Sequence, residues 1–73
     1  MAETFEDRVK RLKADDIYDI QTQYDAAMDT EHGSGEHFIL IGVLSQKGFR
    51  VNSVEEAFEV AGKIIATWQR LNW

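Results

Sequence analysis

Two glutamate–histidine pairs flank a flexible turn in Glu31-His32-Gly33-Ser34-Gly35-Glu36-His37, and no other stretch of the 73-residue sequence gathers as many groups able to do chemistry. Imidazole and carboxylate are donors that suit zinc or a similar ion. Glu31, His32, Glu36 and His37 are therefore the candidate metal ligands, but their spacing matches no standard metal motif. A plainer reading puts His32 at the negative end of one helix and His37 in the first turn of the next. A histidine loop would also respond to pH near neutrality, which makes a metal- or pH-responsive sensor the third functional reading. No cofactor is expected.

Other chemistry is poorly supported. Cysteine is absent, and Ser34, Ser45 and Ser53 each fit a capping or turn role, so no nucleophile is indicated. Carboxylates are plentiful, but acid–base catalysis needs a cleft that perturbs them, and a chain this short rarely forms one unaided. Gly33-Ser34-Gly35 lacks the later glycine and the Lys-Ser/Thr of a nucleotide-binding loop. The sequence points away from an enzyme.

The second group of interest is electrostatic. Residues 14–31 carry Asp15, Asp16, Asp19, Asp25, Asp29 and Glu31 and no lysine or arginine. On a helix, Asp15, Asp19, Thr22, Asp25 and Asp29 fall on one arc, opposite Ile17, Ile20, Tyr24, Ala27 and Met28. Asp15 with Asp19, and Asp25 with Asp29, lie four apart and hence about 6 Å from one another, close to the spacing of phosphates on a nucleic-acid strand. Tyr18 sits beside this arc, and Trp73 at the chain end is a candidate interface anchor. Asp15, Asp19, Asp25, Asp29, Tyr18 and Trp73 are the predicted partner-binding residues. The bland alternative is that the aspartates only keep a small protein soluble.

Whole-chain composition agrees with that direction. Thirteen acidic against eight basic residues give a net charge of −5, which disfavours direct binding to nucleic acid or anionic membrane and favours a protein with a basic surface. The basic stretch Arg8 to Lys13 is nearly cancelled by Glu3, Glu6 and Asp7 and reads as a solvated helix face. A helix-turn-helix reader at the C-terminal end would offer Glu55, Glu56 and Glu59 to phosphates, the wrong sign of field. No run of about 18 apolar residues and no leader are apparent, and with no cysteine this leads to the expectation of a cytoplasmic protein without a membrane span.

The elements that must position these residues form one small domain, residues 1–73. Phe5, Val9 and Leu12 predict a short amphipathic helix over about 3–13, supported by the acid-before-base pairs Glu6–Lys10 and Asp7–Arg11. Continuing that stripe would bury Asp16, so the register must break near Lys13-Ala14, with Asp15 or Asp16 capping a second helix that runs to about Thr30. His32-Gly33 ends it and Ser34 caps the next segment. Phe38 to Leu44 is apolar except for Gly42 and suits a buried helix; Lys47-Gly48-Phe49 supplies a helix end with glycine at C′. The alternative is a β-hairpin at about 38–51, turning at Ser45 to Gly48 and giving an α+β fold. Ser53-Val54-Glu55-Glu56 is a capping box before a long helix with Ala57, Phe58, Ala61, Ile64, Ile65, Trp68 and Leu71 on one stripe, and Val51 can staple its entry.

The expected fold is all-α, a compact bundle of four short helices. The expected function is a non-catalytic protein-binding module, a small acidic regulator or inhibitor that docks on the basic surface of a nucleic-acid-handling protein. The second reading is a homo-oligomeric assembly protein in which part of the apolar surface of residues 38–44 and 54–71 closes against another copy, as a homodimer for example.

Overall fold

The computed structural model describes residues 3–30 and 35–72, and over these the chain is an all-α bundle of four helices. They are α1 (Phe5–Lys10), α2 (Ala14–Met28), α3 (Gly35–Gln46) and α4 (Val54–Asn72). The hairpin alternative over 38–51 does not form, because most of that segment is the helix α3.

Each helix starts and stops for a local reason. Thr4 caps α1, its hydroxyl accepting the Asp7 amide at 3.0 Å. The helix then ends at Lys10, three residues before the expected Lys13, and the register breaks before α2. Neither Asp15 nor Asp16 occupies the cap of α2. Lys13 does, and Asp16 reaches back from the third helical position to accept the Lys13 amide at 3.0 Å. The expected Ser34 cap of α3 lies outside the described residues. At the other end of α3, Gly48 adopts φ 93°, a left-handed conformation open to glycine at little cost. That turn lets the Phe49 amide donate to the Leu44 carbonyl at 2.8 Å and the Gly48 amide to Ser45 at 3.0 Å, the paired bonds of a Schellman end. Ser53 caps α4 by accepting the Glu56 amide at 3.1 Å.

The core forms where the apolar stripes converge. Val9, Ile17, Ile20, Leu40, Leu44 and Ile64 are all buried, and Ala57 and Ala61 on α4 let the other helices approach closely. Burying each large aliphatic side chain contributes about 1.5–3 kcal/mol. α2 and α3 pack on each other and both rest on α4, whereas α1 meets only α4 among the helices. Phe49 closes the junction beyond α3, edge-on to Phe5 with ring centres 5.8 Å apart and with the Arg8 guanidinium 4.7 Å above its ring.

Three expectations about faces are corrected. Met28 is not on the core side of α2 but 60% exposed, because the stripe drifts round the helix by its last turn. α3 is not buried on all sides: Phe38 and Ile39 face solvent. The acid–base pairs predicted within α1 are replaced by longer-range ones. Glu6 pairs with Arg70 of α4 at 3.4 Å, and Arg11 pairs with Glu3.

Candidate functional site

The outer side of α2 presents the acidic group. Asp15, Asp19, Asp25, Asp29 and Tyr18 are all exposed, Tyr18 at 63%. The physical cause is that Ile17, Ile20, Tyr24 and Ala27 turn the opposite side into the core. The aspartates are not electrostatically equivalent. Lys47, just past the end of α3, sits 2.9 Å from Asp16 and 3.4 Å from Asp19. Its ammonium therefore neutralises one edge of the arc. Asp15, Asp25 and Asp29 form no ion pair among the described residues.

Asp16 belongs to the scaffold. The Lys13 amide, and then the Lys47 ammonium, stabilise its carboxylate and hold it below the usual aspartate range. Reciprocally, hydrogen bonds from Lys47 first to Asp16 and then to Asp19 raise the lysine above its ordinary value. Among the ionisable groups described, these two mark where α2 is tied to the end of α3.

On the other flank of α2 an open groove of about 410 Å³ runs between α2 and the C-terminal half of α4. Ile17, Tyr18, Gln21 and Asp25 line one wall, and Trp68 lines the other. The sequence places Trp68 on the core stripe; in the fold it is half-buried, with part of its surface in this groove. The reason is the length of α4, which continues beyond its last fully buried residue, Ile64, so that Trp68 and Leu71 pack only partly against the core. Trp68 is thereby brought to the groove that Tyr18 and Asp25, seven apart on one face of α2, line, a pairing that linear spacing alone does not indicate. Trp73 lies outside the described residues.

A second cleft, about 310 Å³, is lined by Glu3, Arg8, Arg11, Lys47 and Gly48. Its cations are already engaged: Arg8 with the Phe49 ring, Arg11 with Glu3, and Lys47 with the two aspartates.

The histidine loop divides. Glu31 and His32 lie outside the described residues, Glu36 is in the first turn of α3, and His37 is buried. His37 Nε2 donates to the Ala27 carbonyl at 3.0 Å, and its ring packs edge-on to Phe58 at 5.3 Å. That nitrogen is committed to holding α3 against the end of α2. Among the described residues no cluster of three or more histidine or acidic side chains is arranged to hold a metal ion, and no helix is long and apolar enough to cross a membrane. Compared with family models, curated proteins and solved structures, the chain matches none.

Proposed function

We propose that the protein is a non-catalytic binding module, a small acidic regulator that docks through the outer side of α2 on a basic surface of a nucleic-acid-handling protein. The single observation that carries this reading is the set of exposed carboxylates Asp15, Asp25 and Asp29, which form no ion pair among the described residues, on a helix with no lysine or arginine. Paired surface charges contribute little to recognition, whereas an unneutralised row of one sign attracts a complementary surface over a distance. Tyr18 and Trp68 supply the apolar contact that electrostatics alone lacks. An aromatic-floored groove with a carboxylate at its edge suits a partner segment that combines an apolar anchor with lysine or arginine.

Affinity capture from the native cell, with and without duplex DNA or heparin as competitor, tests this reading. The expected partners are basic proteins that the polyanion displaces. Asp15→Lys, Asp25→Lys and Asp29→Lys together should abolish capture at unchanged helicity, while Asp19→Asn, which alters a carboxylate already beside Lys47, should weaken it less. Retention of the partner by the triple variant would refute the acidic-face reading.

A further inference from the structure

The groove between α2 and α4 is furnished for a ligand of one sign. Tyr18, Gln21, Thr22 and Asp25 follow one another at three- and four-residue steps and share one face of α2, with Trp68 on the facing wall. Tyr18 and Asp25 are two turns apart, about 10 Å along the axis. Among the described residues no lysine, arginine or histidine lines the groove, and Asp25 is its single formal charge. The Tyr18, Gln21, Thr22 and Asp25 side chains make no hydrogen bond or ion pair among the described residues. At about 410 Å³ the groove is within the size of clefts that hold small ligands.

We infer, resting on the reading of α2 as a docking surface, that this groove seats one arginine side chain of the partner and selects it over lysine. Charge complementarity requires a cationic head, because the one charge in the lining is the Asp25 carboxylate. The aromatic and apolar walls require a long aliphatic stem behind that head. Arginine and lysine both lay such a stem along apolar surface while keeping the charged end free. Their heads differ. Guanidinium is flat, weakly hydrated and carries five donors in a fork. It can engage Asp25 through two bonds, donate to the Gln21 or Thr22 oxygen one turn before it, and lie against an aromatic face. An ammonium is a compact, strongly hydrated point charge that gains less from the Tyr18 and Trp68 rings, and a trimethylated one has no donor for Asp25, Gln21 or Thr22.

Asp15 and Asp29 lie on the same helix end to end but outside the groove lining, so they separate the groove from the acidic face as a whole. Nuclear magnetic resonance titration of the isotope-labelled protein with a blocked Gly-Arg-Gly tripeptide should shift the Tyr18, Gln21 and Asp25 amides and the Trp68 indole, with a Kd of about 1 mM at low salt. The Gly-Lys-Gly and trimethyllysine counterparts should bind at least about fivefold more weakly. Asp25→Asn should weaken arginine binding about tenfold and Tyr18→Ala about threefold, whereas Asp29→Asn should change it by less than about twofold. All three substitutions are at exposed positions, so an unchanged helical signal should accompany each. Equal affinity for the three tripeptides, or shifts confined to residues outside the groove, would overturn the inference. Partner capture distinguishes its failure from that of the docking reading. Full capture by the Tyr18→Ala, Asp25→Asn double variant removes the groove and leaves the acidic face; selective arginine binding in a protein that captures no basic partner keeps the groove and removes the nucleic-acid-handling partner.

Discussion

His37 and Ala27 are joined by a buried hydrogen bond of 3.0 Å, from the imidazole Nε2 to a carbonyl in the last turn of α2. The same carbonyl accepts the Thr30 hydroxyl at 3.0 Å. One backbone oxygen thus gathers the end of α2 and the start of α3, and Phe58 braces the arrangement by meeting both the His37 and Tyr24 rings. His37→Ala should therefore destabilise the fold by about 2–4 kcal/mol, combining the vacated volume with a lost buried bond. Chemical denaturation measures this, and His37→Gln, which keeps a donor, should recover part of it. A loss under about 0.5 kcal/mol would show that the bond is not structural.

Phe49 and Arg70 separate packing from surface charge in the attachment of α1. At six residues α1 is too short to persist alone; besides Val9, which is buried in the core, the Phe49 ring, 4% exposed, and the exposed Glu6–Arg70 pair hold it. Phe49→Ala should cost about 3–4 kcal/mol and detach α1, seen as loss of amide protection from Phe5 to Lys10. Arg70→Ala should change stability by less than about 0.5 kcal/mol. The reverse ranking would mean that α1 is held electrostatically.

Much of this arrangement is legible in the sequence because it depends on local rules. The break before Ala14, the Gly48 helix end and the Ser53 cap each follow from one residue type in one place. The outward face of α2 follows from period alone, since Tyr18 and the four aspartates miss the apolar stripe. What escapes the sequence is set by tertiary contact. Lys47 reaches Asp16 and Asp19 across 28 residues or more, and Trp68 shares a groove with Tyr18 because α4 continues beyond Ile64. α3 is the instructive case. Its uniform apolarity carries no facial information, so nothing in its order of residues indicates that Phe38 and Ile39 face out while Leu40 and Leu44 face in.

Gly42 and Gly48, only six residues apart, should respond oppositely to alanine. Gly42 lies within α3 with open space where a Cβ would stand, so Gly42→Ala should stabilise the fold by about 0.5–1 kcal/mol through helix propensity. Gly48 has φ 93°, and Gly48→Ala should destabilise by about 1–2 kcal/mol because a Cβ strains that conformation. Thermal unfolding of the two variants checks both signs.

Asp16 should supply part of the acid limb of the stability profile. Its carboxyl is held below the usual aspartate value, chiefly by the Lys13 amide and next by Lys47. A group depressed in the folded state contributes stability above its unfolded value, 3.8, and loses it as pH falls through the lower folded value. Asn can still accept the Lys13 amide but carries no charge, so Asp16→Asn should be less stable than wild type above about pH 5 and converge with it near pH 2. Lys47→Gln removes only the lesser cause and should flatten the acid limb less. At the alkaline end the sign reverses. The raised Lys47 contributes below its ordinary 10.5 and loses that contribution as pH climbs through the higher folded value. Denaturation midpoints across both limbs check the pair, and an Asp16→Asn profile parallel to wild type down to about pH 2 would remove Asp16 from the tie between α2 and α3.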